Sequence, residues 1–507
     1  MPRRPERETK LRAACLLPAL LLAAGPALAA KPVLGYLAEI EETLTDNASA
    51  TSDESDTELV TGLTLGADGR YSSGRLDGLF GLKAVNRVYH DDSSRSSGNV
   101  VGRGRLTFEA VQNRLFFDAG VTQTRRDRSL FGASSVDDSV DTGNRETVRA
   151  YDLAARGSFR LGKSIEGRTS LGRTWTSGGL SVLEGRRIAT TLALSLDHPQ
   201  AFGPVGWNLG YQKLWTENDA RTGTATLQTL RGVLSYRVSD RLSVRLIGGR
   251  ETNDYETGTD RNNTIRGVGA NLVLSPRTRF DATVEKRFFG TGYNYEFVHR
   301  RPLSSLRASY VRDVSSIEQS ELLSLEEIAF REIFVSLEST IPDEAQREAA
   351  ARTLAASIPN GNSTFASFVT NSFSIARRLQ MTASLLGARN VLTLGLSRSD
   401  FERIGETVGL GAGDDFVQFS NIRTSSVTLS LSHKLGSVST LSAGISHVNS
   451  EGRGVSNEDV TRRSLTIGYN HRIGARTNGA LMLRRQESEG TRDFTENAVI
   501  ASLRARF

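Results

Sequence analysis

The sequence predicts an all-β protein, a transmembrane antiparallel β-barrel of about 22 strands with one helical insertion. Segments of roughly 10–14 residues alternate apolar and polar side chains from about residue 33 onward, the length of a tilted membrane-spanning strand. Short turns alternate with longer polar connections. The last segment runs apolar on one face and ends on Phe507.

Leu230, Gly232, Leu234, Tyr236 and Val238 share one face, while Arg231, Ser235 and Arg237 take the other. After a turn at Ser239-Asp240, Leu242, Val244 and Leu246 resume the apolar face against Ser243 and Arg245. Period two with arginine on the wet side is the signature of a strand between lipid and water. It recurs at Ile188/Thr190/Leu192/Leu194/Leu196, at Val268/Ala270/Leu272/Leu274 and at Val427/Leu429/Leu431. Apolar residues make up 38% of the chain and mean hydropathy is −0.30. A barrel tolerates this, because half of every strand faces water.

The turn chemistry gives the topology. Gln112-Asn113, Gly162-Lys163, Ser239-Asp240, Ser275-Pro276, Gly436-Ser437 and Gly474-Ala475 read as short turns. Residues 90–98, 126–147, 251–263, 401–424 and 450–460 read as long outer connections. Tyr89, Phe116, Trp175, Trp215, Phe289 and Tyr293 lie near strand ends, where they form either interfacial girdles or ordinary strand aromatics.

Residues 1–29 read as a secretory signal peptide, and 30–507 as the barrel. Arg3, Arg4, Arg7, Lys10 and Arg12 precede the apolar stretch Ala13–Gly25, and Ala27-Leu28-Ala29 supplies a small-residue cleavage site. That stretch is too short to span a bilayer as a helix, so export to the outer membrane with cleavage near Ala29 is expected. Cys15 is the only cysteine, which leaves the exported chain without disulfides or thiolate metal sites. Removing the five basic and two acidic residues of 1–29 from totals of 63 and 57 leaves a net charge of +3. Such interspersed charge gives no reason to expect nucleic-acid binding.

One region breaks the two-residue rhythm. Residues 321–357 are helical by pattern: Ile328, Ile333, Phe334 and Leu337 line one face, and Pro342-Asp343-Glu344 opens a second, alanine-rich helix. Strand parity places this insertion on the outer side, as a surface hairpin, a rim element or a plug.

At this insertion the chain resembles the uncharacterised outer-membrane proteins associated with PEP-CTERM/exosortase systems. The helical insert is followed by Phe368-Val369-Thr370-Asn371, a strand with Arg377-Arg378-Leu379-Gln380, and then Leu386-Gly387-Ala388-Arg389-Asn390-Val391-Leu392-Thr393-Leu394. Glu42-Thr43-Leu44-Thr45-Asp46-Asn47 fits the same family. The resemblance implies a role in exopolysaccharide or envelope export, with exopolysaccharide or its export proteins as partners. It supplies no catalytic or binding residues.

The final segment is the most specific short feature. Val499, Ala501, Leu503, Ala505 and Phe507 share the apolar face, with Ser502, Arg504 and Arg506 opposite. This pattern resembles the signal read by the barrel-assembly machinery, so that machinery and outer-membrane lipid are expected partners.

No motif for catalysis, cofactor or metal stands out. His90, His198, His299, His433, His447 and His471 are scattered without ligand spacing. Gly409–Gly413 lacks a following lysine, and Asp91-Asp92, Asp137-Asp138 and Asp414-Asp415 read as solvated loop charge. Arg231, Arg237, Arg245, Arg504 and Arg506 are the candidate lumen charges. Unpaired, they favour anionic solutes; paired with inner acids such as Asp118 or Asp281, they fill the lumen. The sequence therefore points to a non-enzymatic conduit or scaffold. A general diffusion porin and a rim-active hydrolase are the alternatives.

Overall fold

In a computed structural model, residues 32–507 are described apart from 53–55, 136–139, 141, 179–185, 219–220, 256–260, 371, 406–409 and 412, and all of 316–369 except Phe334 and Arg347. The expected signal peptide at 1–29 and Asp137-Asp138 lie outside the described residues. So does nearly all of the expected helical insertion at 321–357. The two described residues within it are both helical, and the Arg347 guanidinium sits 4.5 Å over the Phe334 ring.

Twenty-two strands follow in chain order. They are β1 Val33–Thr45, β2 Glu58–Ser72, β3 Leu76–Tyr89, β4 Ser97–Val111, β5 Leu115–Asp127, β6 Arg145–Leu161, β7 Ile165–Ser177 and β8 Arg186–Phe202. Next come β9 Val205–Asn218, β10 Arg221–Arg237, β11 Leu242–Asn253, β12 Arg261–Ser275, β13 Thr278–Arg287, β14 Gly290–Arg301 and β15 Ser304–Ser315. The last seven are β16 Phe373–Leu386, β17 Asn390–Ile404, β18 Phe419–Lys434, β19 Ser439–Gly454, β20 Asn457–Arg472, β21 Thr477–Glu489 and β22 Phe494–Arg506. One short helix, α1 Asp415–Gln418, precedes β18.

Each strand pairs antiparallel with its neighbours in sequence, and β1 pairs with β22 from Leu37 opposite Arg506 to Thr45 opposite Ala498. The sheet is thus closed and has no free edge, the condition for crossing lipid with strands. Phe507 extends the seam: it exchanges backbone hydrogen bonds of 2.9 and 3.1 Å with Tyr36. The register places Val499, Ala501, Leu503 and Ala505 on the outer face, where Leu44, Glu42, Ile40 and Ala38 lie opposite them.

Register joins the outer residues into continuous stripes. Leu234, Leu246, Val268, Val284 and Tyr293 stand opposite one another across β10–β14. Leu234, Leu246 and Val268 are about half exposed or more, at 49, 61 and 57%. An exposed apolar belt of this extent marks a lipid-facing surface.

At one end every described connection is short, as at 112–114, 162–164, 203–204, 238–241 and 276–277. Asn113, Gly162 and Gly203 take positive φ there (54, 65 and 62°), the conformation that Asn and Gly tolerate best. The longer connections gather at the opposite end, which is therefore the extracellular one. Strict short–long alternation does not hold. The expected loop 450–460 is a two-residue turn, Val455-Ser456, and 251–263 shrinks to 254–260. The strands project past the membrane here, and a strand in water alternates charge instead of apolar residues, so it reads as loop.

Tyr89 and Phe116 are turned inward, not toward an interface. Tyr89 packs with Ala48 and Val60, and Phe116 lies beneath Arg156. Trp175, Trp215 and Tyr293 face outward, opposite Ile188, Thr190 and Val284.

Candidate functional site

The strand alternation that faces leucine to lipid points the intervening residues into the lumen, and those are polar. Arg231 pairs with Glu285, Arg245 donates to Asp281 at 2.8 Å, and Arg504 donates to Glu39 at 2.9 Å. Asp281 also accepts from Asn271 at 3.0 Å. Asp118 accepts from Thr107 at 2.7 Å and from Arg156. Arg287 adds Glu251 at 2.8 Å. Arg237 and Arg506, at the periplasmic rim, have no ion-pair partner among the described residues. Paired charges give the wall polarity without a large potential of one sign. A cavity of about 360 Å³ opens in this wall, bordered by Gln212, Thr229, Arg231, Glu285, Arg287 and Asp313.

The facing wall, β16–β20, is lined by small hydroxyl residues instead. Thr382, Ser384, Thr393, Thr424, Ser426, Thr428, Ser430, Ser442 and Ser450 are all buried. Barrel diameter grows with strand number, and a bare wall of a barrel this wide would stand open to water. These side chains are instead withdrawn from solvent.

Close to the seam, Arg484 and Glu496 form a doubly hydrogen-bonded pair at 3.0 and 2.5 Å, both side chains fully withdrawn from solvent. Thr45 donates to the same carboxylate at 2.8 Å, so the cluster ties β21, β22 and β1.

The extracellular mouth is crossed by chain. The connection after β5 bends inward, placing Leu130 and Phe131 against Phe416, Phe419, Ile422 and Val460. It is held by polar contacts from residues hundreds of positions away. The Leu130 N–H donates to Asp415 at 2.9 Å, Arg462 donates to the carbonyls of Leu130 and Gly132 at 2.6 Å each, and Gln486 donates to Ser135 at 3.1 Å. Ala133 and Val140 pack with Ala50 and Phe494 beside it.

A second set of contacts ties the other side of the mouth. Arg187 of β8 lies 5.0 Å over the ring of Phe373 of β16, and Tyr255 stacks on that ring at 4.2 Å. Thr370 donates to Asp414 at 2.9 Å, joining the segment before β16 to the start of α1.

Asp414 and Asp415 are therefore not solvated loop charge: both are buried. Asp414 caps α1 by accepting from the Phe416 N–H at 3.0 Å. Burial pushes the Asp415 carboxyl up from 3.8 to about 7; the bonds from Ser129 and Leu130 oppose this, while neighbouring Asp414 adds to it. The sequence signal was an Asp followed by Phe416-Val417, an N-cap residue before apolar positions.

Four of the six histidines sit on the outer face at the periplasmic edge. His299 touches Thr278, His433 touches Asn390 and His471 touches Ser439 at 2.6–2.8 Å, while His198 stacks on Trp207. They behave as interfacial polar aromatics. Among the described residues no group of three His, Cys, Asp or Glu gathers to hold a metal.

The closed sheet, lipid-facing outer surface and polar lumen define the class: this is a bacterial outer-membrane β-barrel protein. No family model and no curated protein matches the chain. Solved structures similar to it include the ferric enterobactin receptor PfeA of Pseudomonas aeruginosa, 10% identical, covering 94% of this chain and 81% of that one at a TM-score of 0.48. The siderophore receptor PirA of Acinetobacter baumannii is 8% identical, with 94% and 80% covered and a TM-score of 0.47. The FrpB iron transporter of Neisseria meningitidis is 10% identical, with 93% and 82% covered and a TM-score of 0.48. At these values the likeness assigns this chain no ligand.

Proposed function

We propose that this barrel is a non-enzymatic conduit or scaffold in exopolysaccharide or envelope export, the role implied by its resemblance to PEP-CTERM/exosortase-associated proteins. One observation carries the conduit part: a polar, ion-paired lumen wall lies beneath a mouth crossed by the segment around Leu130 and Phe131. A polar, ion-paired wall suits a hydrated, hydroxyl-rich polymer, because water and paired charges can exchange hydrogen bonds with it along the path. A mouth tied by side-chain contacts suits a passage kept shut until export.

Deletion of the gene, with measurement of surface polysaccharide, tests the role. Polysaccharide should fall and return on complementation with the wild-type chain. Unchanged polysaccharide in the deletion strain defeats the export role and leaves the barrel untouched.

A further inference from the structure

The strands rise past the apolar band on the extracellular side, and there the outer face changes chemistry. On β12, β13, β15, β16 and β17 the first outward position beyond the band is a cation. Arg266 lies two residues beyond Val268, Lys286 beyond Val284, Arg312 beyond Tyr310, Arg377 beyond Leu379 and Arg398 beyond Leu396. On β14 that position is Thr291, next to Tyr293.

These cations lie at one height. Arg266 stands opposite Lys286, and Arg312 opposite Arg377. Between those two pairs, and again between Arg377 and Arg398, the register drops by two residues. A tilt of roughly 35–45° demands a stagger of about one residue per strand, so the drop keeps the row level around the barrel.

Folding alone does not favour this row. Like charges directly opposite across strands are destabilising. Arg266, Lys286 and Arg377 have no ion-pair partner among the described residues, and the outward positions of β12–β16 there hold no Asp or Glu. Carboxylates enter at β17, where Asp400 stands opposite Arg377 in register, accepts from Arg398 at 3.3 Å and pairs with Arg423, and where Glu402 lies two residues beyond. Just below the row, Tyr293, Tyr295 and Tyr310 cluster with ring centroids 4.7–6.4 Å apart, aromatic bodies suited to a lipid interface. The periplasmic edge of the same six strands carries Arg301 alone among outward Arg and Lys of the described residues. The two leaflets are therefore met by different chemistry.

We propose that the outer face of β12–β17 at the extracellular edge of the apolar band binds the phosphate-bearing head groups of an outer-leaflet glycolipid, whose acyl chains lie along the leucine and valine stripes below. Arginine forks match phosphate oxygens pairwise, and a head group with several phosphates spans neighbouring cations, relieving their mutual repulsion. The sugar between phosphates lies over the tyrosine cluster.

The test uses the full chain refolded in phosphatidylcholine nanodiscs doped with lipid A or, separately, with phosphatidylglycerol, and retained lipid is counted by native mass spectrometry. The wild type should retain lipid A in preference to phosphatidylglycerol. The triple variant R266S/K286S/R377S should hold lipid A about 10-fold less well, from three exposed charge contacts. R301S at the other edge should match the wild type. Equal retention by the triple variant overturns the site, and equal retention of both lipids by the wild type overturns the glycolipid assignment. Should the triple variant fail to show the wild-type heat-modifiable gel shift, R266Q and R377Q are measured singly. Each is then expected to lose about 2-fold, and no loss in either overturns the site.

Discussion

Asp415→Asn should remove a pH dependence from the extracellular mouth. The carboxyl is buried among Asp414, Glu458 and the 129–132 segment, near Arg462, and its pKa rises from 3.8 to about 7. An acid with a raised folded pKa stabilises the packed state most when protonated. The contribution is therefore complete below about pH 4, is lost as pH climbs to 7, and is flat above it. A shift of about three units corresponds to at most about 4 kcal/mol between the packed mouth and one in which Asp415 is fully hydrated. The assay is single-channel recording in planar bilayers across pH 4–8. The wild type should open more often as pH rises through 4–7, whereas Asp415→Asn, which keeps an acceptor for the Leu130 N–H, should be nearly flat there. A wild type that gates identically at pH 4 and 8, or a variant that keeps the full slope, refutes the reasoning.

Two further outcomes follow from the seam. Arg484→Met should destabilise the barrel by about 3–5 kcal/mol in urea unfolding from vesicles, because it strands the buried Glu496 carboxylate, while R484M/E496L should recover most of the loss; a double variant as weak as the single one would contradict this. Removing Phe507, or replacing it with Asp, should slow membrane insertion in a cell-envelope assembly assay, since its backbone hydrogen bonds to Tyr36 extend the β22 seam; normal insertion would count against reading it as an assembly signal.

Period two made much of the fold readable. Runs such as Leu230–Val238 fix which side chains face lipid, because a one-residue slip would move all of them to the wrong face. Above the membrane the same period is written in charge. Glu451, Arg453 and Asp459 are ion-paired strand residues of β19 and β20, and without an apolar face they read as loop. The lumen arginines were legible from their face, and Asp281 and Asp118 were legible as inner acids that could pair with them, but not which arginine each acid meets. Arg245 and Asp281 are 36 residues apart and meet only because β11 and β13 flank β12. The mouth was not legible at all. Leu130 meets Asp415 across 285 positions, and Asp414-Asp415 looks like any acidic loop until a second segment buries it.

The measurement that tests the account most directly is cysteine labelling on intact cells, aided by a sequence whose only cysteine is Cys15. Ser456 lies exposed in the turn between β19 and β20, and Asp240 lies exposed in the turn between β10 and β11 at the opposite end of the barrel. With a membrane-impermeant maleimide, Ser456→Cys should label on intact cells, and Asp240→Cys only after the outer membrane is permeabilised. Labelling of Asp240→Cys on intact cells, or silence at Ser456→Cys, would contradict the barrel's placement and its orientation together.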